Sequence, residues 1–390
     1  MARPMLYLKT SLTNIPGEFM KIQNLLLTSS LLISTSAFAS VLKVTTGEDS
    51  VAGSLRAAVA SAQPGDTVEI DSKVSRVMIK DGEILLTKSV AITSNARTKE
   101  DRPTIDGMGR NRIFLAVGRN LNLEFSNLNF SNANTTSIEV NEEHSQMNVD
   151  GRSYYIPQTM GSVLLLVGPR NVVKIHDSEI SNNQSLNGAI TSSNDPTEQP
   201  WTSIVIERTI FKNNSTEYRG GAIYSFWTNL KFNNVIFDSN TAKEGGAVAN
   251  NAGCMNVKNT TFVNNSAGKS GGAIFNLGSL RMVNNQIKNN TAENAGGIFS
   301  GYVLQLSNNT VTENRSSDPH NVNSSDMGDI FDLTSNGGNI IGRMTLDHHA
   351  GNKIHFEQTD MVNGLVNPTS LNQDGRFEPG LPPCALEEIK

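Results

Sequence analysis

Residues 237–274 read FDSNTAKEGGAVANNAGCMNVKNTTFVNNSAGKSGGAI, and this stretch contains the same two motifs twice. In the first motif, an apolar residue is followed by two variable residues and an Asn. In the second, Gly-Gly-Ala is followed by a branched aliphatic residue. Copies are about 25 residues apart, the spacing of a repeat protein. A unit this short cannot bury a hydrophobic core of its own, so successive units have to stack on one another.

The two motifs extend on both sides of this stretch. The apolar residue and its Asn recur as the pairs Ile180/Asn183, Phe211/Asn214, Phe237/Asn240, Phe262/Asn265, Ile287/Asn290 and Val311/Asn314. The paired glycines recur as Gly220 with Gly221, Gly245 with Gly246 and Gly271 with Gly272, and residues 187–190 and 295–298 carry degenerate versions. Upstream of each Asn motif, apolar residues occupy alternate positions, which predicts a β-strand with one buried face.

The repeats predict an all-β fold, a single-stranded right-handed parallel β-helix. Successive coils of such a helix lie ~4.8 Å apart, so equivalent side chains come to lie above one another. We expect stacked Phe rings inside the solenoid and a ladder of amide hydrogen bonds along it. The predicted ladder residues are Asn183, Asn214, Asn240, Asn265 and Asn290. Leucine-rich, ankyrin and tetratricopeptide repeats are excluded, because these units have neither a helical periodicity nor a Leu-rich strand.

Turns are predicted at fixed places in each coil. The paired glycines suit corners that need a positive φ, or places where two backbones approach too closely for a Cβ. Another column lies three residues before each apolar anchor and is rich in Asn, a residue that favours turns. Its members are Asn127, Asp177, Arg208, Asn234, Asn259, Asn284 and Asn308.

A short helix is predicted near the N-terminus. Residues 54–62 read SLRAAVASA, an amphipathic pattern with Ser54 as the N-cap, and Pro64-Gly65 ends it. The open end of a solenoid exposes unpaired backbone groups, which such a helix can cover. We therefore expect this helix to cap the β-helix.

The FxxN and GGA[ILV] motifs quoted above resemble the repeats of the chlamydial polymorphic membrane proteins, over residues 180–315. That resemblance implies a surface-exposed adhesin. Three other segments resemble exported β-helix proteins of the pectate-lyase-like type, and they extend the predicted solenoid over most of the chain. They are GSLRAAV with PGDTV at residues 53–68, TIDG at residues 104–107 and NGGNIIG at residues 336–342. We expect no counterpart of the C-terminal outer-membrane barrel of the longer family members.

The N-terminal sequence indicates export. Met20 is the expected start, because Lys21, an apolar run over residues 25–33 and Ala37-Phe38-Ala39 follow in the order of a signal peptide. The predicted organisation is a start-site artefact at 1–19, a signal peptide at 20–39, the β-helix at 40–345 with an insertion near 134–160, and a coil remnant and tail at 346–390. We expect an extracellular or outer-membrane-associated protein, and a periplasmic location stays open.

Composition argues against several functions. The net charge of −5 disfavours nucleic-acid binding. The three histidines His348, His349 and His355 lie close together, but no Cys or further His accompanies them, so we expect no metal and no cofactor. Cys254 and Cys384 are the two cysteines of the chain, and whether they form a disulfide stays open.

The insertion at residues 134–160 is the predicted binding region, because insertions project from a solenoid and often form its binding face. It contains Tyr154 and Tyr155, and Trp201 lies in a second, shorter insertion. Exposed rings beside charged residues suit the stacking of sugars. Alternatively, these rings pack down on the solenoid. The expected partner is a polysaccharide, a cell-surface ligand or another protein.

The sequence predicts no catalytic residue. Asp177, Glu179, Glu207 and Arg208 come closest to the carboxylate sets of lyases and glycosidases. However, Asp177 and Arg208 share a column, so an ion pair between adjacent coils explains them as well. The sequence therefore favours an exported, non-enzymatic protein with an adhesion or binding role. The alternative is a polysaccharide lyase or glycoside hydrolase of the pectate-lyase-like superfamily.

Overall fold

The computed structural model describes residues 39–136, 145–318, 325–346, 353–363, 365–366, 369 and 372. These residues all belong to one compact unit, Ala39–Lys390. The predicted start-site artefact and all but the last residue of the predicted signal peptide lie outside the described residues, as do His348, His349 and Cys384.

The largest sheet has 20 strands. Most coils contribute two consecutive strands to it, and each strand pairs with the equivalent strand of the next coil. Its strands are β1 (Val41–Val44), β2 (Thr67–Ile70), β4 (Ile84–Leu86), β5 (Val90–Ser94), β7 (Phe114–Val117), β8 (Asn122–Ser126), β12 (Leu164–Val167), β13 (Val172–His176), β16 (Ile190–Ser193), β17 (Ser203–Glu207), β20 (Ile223–Asn233), β23 (Val248–Lys258), β26 (Ile274–Asn276), β27 (Ser279–Val283), β30 (Ile298–Ser300), β31 (Val303–Ser307), β34 (Met327–Ile330), β35 (Asp332–Ser335), β37 (Met344–Leu346) and β38 (Ile354–His355). Every described pairing within this sheet is parallel.

Two further sheets complete the coils, and the predicted parallel β-helix is confirmed. The 12-stranded sheet carries the apolar anchors and contains β3 (Arg76–Met78), β6 (Thr104–Asp106), β9 (Asn129–Ser131), β14 (Glu179–Ser181), β18 (Ile210–Lys212), β21 (Ile236–Asp238), β24 (Thr261–Val263), β28 (Gln286–Lys288), β32 (Thr310–Thr312), β36 (Ile340–Ile341), β39 (Met361–Val362) and β40 (Leu365–Val366). The six-stranded sheet contains β15 (Gln184–Asn187), β19 (Ser215–Arg219), β22 (Thr241–Glu244), β25 (Ser266–Ser270), β29 (Thr291–Ala292) and β33 (Arg315–Ser316). A separate antiparallel hairpin consists of β10 (Gln146–Val149) and β11 (Arg152–Tyr155).

The predicted helix is present as α1, Leu55–Ser61. The hydroxyl of Ser54 accepts a hydrogen bond from the N–H of Ala57, as an N-cap does. Leu55 and Val59 are buried against the first strands, so the helix closes the N-terminal end of the core. Arg56 fixes its position through Asp49, with both N···O distances at 2.8 Å.

The core is a continuous stack of equivalent side chains. Phe211, Phe237 and Phe262 are fully buried, and their rings stack at centroid distances of 4.9 and 4.8 Å. These rings occupy in-register positions on β18, β21 and β24, and Ile287 follows them on β28. The stacking distance equals the spacing between neighbouring strands, so each ring lies directly above the ring of the preceding coil. Equivalent positions of the repeat are therefore in register from coil to coil.

The Asn-rich turn column lies where the chain leaves the large sheet for the 12-stranded sheet. All seven of its residues have a positive φ, between 46° at Arg208 and 59° at Asn127 and Asn234. Asn and Asp adopt this left-handed conformation more readily than other residues with a Cβ. This explains the residue preference of the column and confirms that the chain turns there.

Candidate functional site

The predicted ladder residues donate hydrogen bonds to one another from coil to coil. Asn183 Nδ2 donates to Asn214 Oδ1 at 2.9 Å, and the same contact links Asn214 to Asn240 at 2.9 Å. It continues from Asn240 to Asn265 at 3.0 Å and from Asn265 to Asn290 at 2.9 Å. From Asn214 onward, each amide oxygen also accepts the backbone N–H of the preceding ladder residue, and the oxygen of Asn183 accepts that of Ala133. All five side chains are buried, so these polar groups are fully used inside the fold and are unavailable to a ligand.

The ladder ends at Asp326, on the C-terminal side. Asn290 donates to Asn314 at 2.9 Å, and Asn314 donates to the Asp326 carboxylate at 2.8 Å. The other oxygen of Asp326 accepts the backbone N–H of Arg343 at 2.7 Å. Burial raises the pKa of Asp326, although the hydrogen bonds that it accepts oppose this shift. An ionised carboxylate only accepts hydrogen bonds, which is what the last member of a chain of donors requires.

A second buried ladder was not predicted from the sequence. Asn285 Nδ2 donates to Asn309 at 2.9 Å, Asn309 to Asn339 at 3.0 Å and Asn339 to Asp360 at 3.0 Å. These asparagines directly follow the turn column, so Asn284-Asn285 and Asn308-Asn309 each place one Asn in the turn and one in the ladder. The doubled Asn is the sequence signal that could have revealed it. This ladder also ends on an Asp.

The first glycine of each pair makes a turn. The φ angle is +63° at Gly220, +66° at Gly245 and +68° at Gly271, a range that few residues other than glycine adopt. The prediction of a corner with a positive φ is therefore confirmed for these three positions.

The second glycine of each pair has a different role and fits the other predicted alternative, a close approach of two backbones. Gly221, Gly246 and Gly272 are not among the residues with a positive φ. A Cβ on Gly221 would lie 2.2 Å from the carbonyl oxygen of Gly246. A Cβ on Gly246 would lie 2.1 Å from the carbonyl oxygen of Gly272, and one on Gly272 would lie 2.0 Å from that of Gly296. These glycines are required because adjacent coils approach too closely for a side chain, which was the other reading of the pair.

The insertion near 134–160 forms the hairpin β10–β11 on the outside of the solenoid, although residues 137–144 lie outside the described residues. Leu115 and Val117 on β7 and Leu165 and Val167 on β12 point outward, and with Ile156 they form a small hydrophobic cluster separate from the main core. Tyr154 packs against this cluster, together with Met147, Val149 and Met160. Tyr155, in contrast, is 67% exposed.

The second insertion contacts the hairpin. Glu198 accepts from Arg152 of β11 at 2.7 Å and from Arg119 of the solenoid at 2.9 Å. Trp201, one of the predicted binding rings, is only 8% exposed and packs against Trp227 at a centroid distance of 5.1 Å, as in the alternative in which the rings pack down on the solenoid. Its Nε1 donates to Pro196 O at 3.3 Å, so its polar group is also satisfied within the loop. Of the three predicted binding rings, Tyr155 alone presents most of its surface to solvent.

Arg112 anchors the end of the hairpin insertion. This guanidinium is buried and donates to the carbonyl oxygens of Pro157 and Gln158 at 3.0 and 2.6 Å, and to those of Met160 and Gly161 at 3.1 and 3.2 Å. It also pairs with Glu83. Burial lowers the pKa of Arg112, and Glu83 opposes that shift. Five acceptors around one buried cation hold the insertion in one position relative to the solenoid.

Two of the three candidate catalytic carboxylates, Asp177 and Glu207, form ion pairs with Arg208. Arg208 donates to both oxygens of Asp177, at 2.8 and 2.9 Å, and to Glu207 at 3.0 Å. Hydrogen bonds from Arg208 lower the pKa of Asp177 to about 2 against the effect of burial, and His176 contributes to this shift. Glu179 lies on β14 of the neighbouring sheet. The arrangement fits an inter-coil ion pair, and an Asp held ionised by a bidentate Arg is a poor general acid.

Metal and cysteine chemistry can be assessed for the part of the chain that the structure describes. Within it, no group of three or more His, Cys, Asp or Glu side chains is arranged to hold a metal ion. His355 contacts Glu357 at 3.1 Å. Cys254 is disulfide-bonded, and its partner lies outside the described residues.

These features define a class of protein: a parallel β-helix of repeated coils joined by internal Asn ladders. Residues 208–225 and 259–277 match the family model of the Chlamydia polymorphic membrane protein (Chlamydia_PMP) repeat. Each match covers a turn residue, a Phe anchor, a ladder Asn and a glycine pair, so the resemblance seen in the motifs is confirmed. Comparisons with curated proteins and with solved structures gave no match. Across the described ranges, no helix has the length and apolar character needed to cross a membrane.

Proposed function

We propose that this protein is an exported, surface-associated binding protein that acts without catalysis and contacts a polysaccharide, a cell surface or a partner protein through the hairpin β10–β11. The Chlamydia polymorphic membrane protein repeat supports a role at a surface. The observation that carries the proposal is the contrast between the ladders and the hairpin. Ladder amides are buried and hydrogen-bonded to one another, whereas the hairpin projects outward and presents Tyr155.

The hairpin has the properties of a binding element on a rigid scaffold. Its own hydrophobic cluster holds it on β7 and β12, while Arg112 fixes one end and Glu198 links it to the neighbouring loop. Because these contacts already fix the hairpin, an exposed Tyr on it loses little conformational entropy on binding.

The test compares two adjacent tyrosines. Tyr155→Ala should abolish binding to a cell surface or to a glycan array while leaving the melting temperature unchanged, because the ring is exposed. Tyr154→Phe is the matched control. It removes a buried hydroxyl that has no hydrogen-bond partner among the described residues, so the variant should fold and bind like the wild type. Equal binding by wild type and Tyr155→Ala would contradict the hairpin site.

Point variants are preferable to a deletion of the insertion. Removing residues 136–158 would expose the outward-facing Leu115, Val117, Leu165 and Val167 and would take two carbonyl acceptors from the buried Arg112. A loss of binding in such a variant could then follow from misfolding alone. Incubation of the wild type with a panel of polysaccharides tests the enzymatic alternative, because release of β-elimination or hydrolysis products would overturn the non-catalytic proposal.

A further inference from the structure

A row of cations runs along the outer face of the large sheet. Lys174 on β13, Val205 on β17, Lys231 on β20, Asn256 on β23 and Arg281 on β27 are consecutive in-register positions. All five side chains point outward, because the residues on either side of each in its strand face the core. Cations therefore occupy every second coil, a spacing of ~9.6 Å along the solenoid.

Around Lys231, Asn256 and Arg281 the outward surface carries no carboxylate, whereas Lys174 has Glu124 as its in-register neighbour on β8. The outward positions of β27 and of the second halves of β20 and β23 are Asn229, Lys231, Asn233, Cys254, Asn256, Lys258, Ser279, Arg281 and Val283. They include three cations and no carboxylate, in a chain whose net charge is −5. We call Lys174, Lys231, Lys258 and Arg281 the cation row, with Lys258 one column to the side.

None of the four cations forms a salt bridge with another described residue. The acids nearest to the row are already engaged, since Glu207 accepts from Arg208 at 3.0 Å and Glu124 contacts His176 at 3.2 Å. Elsewhere on the surface, cations such as Arg56, Arg76 and Arg152 do have carboxylate partners. No carboxylate therefore faces the part of the cation row that runs from β20 to β27, whereas Lys174 lies beside Glu124.

We propose that the cation row binds a linear anionic polysaccharide, one that carries carboxylate or sulfate groups at regular intervals. A regular polymer laid along the solenoid axis can place successive anions on successive cations. Arg281 can bind a carboxylate or sulfate with two parallel hydrogen bonds. The Asn256 amide, between Lys231 and Arg281, is available to sugar hydroxyls. This surface lies on strands other than those of the hairpin, so either site can fail without the other.

A nucleic acid fits this surface less well. Duplex DNA carries one charge per ~1.7 Å of axis, far denser than cations at ~9.6 Å intervals. Single strands are bound by stacking on aromatic rings, and the outward positions around the cation row contain none.

The experiment uses residues 40–390 and measures dissociation constants for heparin, polygalacturonate, dextran and duplex DNA at low and moderate salt. The test variant combines Lys231→Gln, Lys258→Gln and Arg281→Gln. The control combines Lys212→Gln, Lys243→Gln and Lys288→Gln, three cations of the other two sheets that form no salt bridge among the described residues. Both variants change the net charge by the same amount, and all six side chains lie on the surface.

The wild type should bind heparin or polygalacturonate, more weakly as salt rises, and should not bind dextran. The test variant should bind about tenfold more weakly or worse, and the control within about twofold of the wild type. Tyr155→Ala should retain this binding, which separates the cation row from the hairpin site. Absence of polyanion binding, an equal loss in the control, or tighter binding of duplex DNA than of either polysaccharide would each overturn the proposal.

Discussion

At the scale of single residues, the solenoid depends on side chains that satisfy several backbone and side-chain groups at once. Asn240 donates to Asn265 and to the carbonyl of Phe211, and it accepts from both nitrogen donors of Asn214. Because Asn240 is fully buried, loss of its amide would remove these hydrogen bonds at a site away from the surface.

Asn240→Ala and Asn265→Ala should each lower the free energy of unfolding by about 1 to 3 kcal/mol, because buried donors and acceptors lose their partners. Urea unfolding followed by circular dichroism measures this effect. Asn229→Ala is the control: it lies on the same solenoid, but its side chain faces outward and makes no hydrogen bond to another described residue. Unfolding midpoints that match the wild type for both ladder variants would show that the ladder does not stabilise the fold.

The glycine pairs allow an equally local test. Gly246→Ala and Gly272→Ala should each destabilise the protein by about 2 kcal/mol or more, because the new methyl group would overlap a carbonyl oxygen of the next coil. Gly268→Ala provides the comparison, since its Cβ would meet nothing closer than 3.8 Å and its φ is not positive. In thermal melts, Gly268→Ala should have the melting temperature of the wild type, and the other two variants should melt at lower temperatures. If all three melt together, close backbone approach is not the reason for the second glycine.

At the scale of elements, the packing of the hairpin β10–β11 could not be predicted from the sequence. The break in the repeat predicts its approximate position but not its packing. Strands β7 and β12 read FLAV and LLLV, with no alternation of apolar and polar residues, and all four residues of each are buried. A strand without alternation is covered on both faces. That pattern was the available sign that something packs outside the solenoid at these two coils.

The capping helix α1 gives a prediction about pH. Burial raises the pKa of Asp49, but hydrogen bonds from Arg56 and from the backbone N–H groups of Asp81 and Lys80 outweigh it and lower the pKa from 3.8 to about 2. A lowered folded-state pKa means that Asp49 stabilises the fold fully above pH 3.8, and this contribution is lost as the pH falls towards 2.

Asp49→Asn should therefore melt at a lower temperature than the wild type at neutral pH, and the difference should shrink between pH 4 and pH 2. Melting curves recorded across this range measure it. The other acids titrate in both proteins, so the comparison isolates Asp49. A temperature difference that stays constant down to pH 2 would mean that the charge on Asp49 does not hold the helix.

At the scale of the whole molecule, the features that could be predicted from the sequence are mainly those that recur in every repeat. Period, stacking and turn positions follow from residues that recur at fixed spacing, and so the β-helix, the stacked Phe rings and the capping helix were all predictable. Contacts that occur once were not. Trp201 packs against Trp227 of the next coil, and Arg112 reaches carbonyls more than forty positions away in the sequence. Such pairs depend on which surfaces the fold brings together, which no periodicity encodes.

A stack of equivalent coils should tolerate the removal of a complete one. Deletion of residues 272–295 joins Gly271 to Gly296, which then takes the position of Gly272 against the next coil. The product should fold cooperatively and be shorter by ~4.8 Å, measurable by small-angle X-ray scattering. Deletion of residues 272–283 ends mid-coil and shifts every later strand out of register, so that variant should not fold. If both deletion variants fold, or if neither does, the register between these coils is not the one that the structure shows.

The uniform direction of the first ladder gives the solenoid an electrical polarity. From Asn214 to Asn290, each amide accepts from the preceding coil through its oxygen and donates to the ladder residue of the following coil through Nδ2, which also donates to a carbonyl of the preceding coil. Aligned dipoles add, as peptide dipoles do along an α-helix, so partial positive charge accumulates at Asn314. The carboxylate of Asp326 lies at that pole, as an acidic side chain does at a helix N-terminus. An ionised carboxylate at this position is therefore stabilised by the positive end of the whole row of amides as well as by its nearest donor.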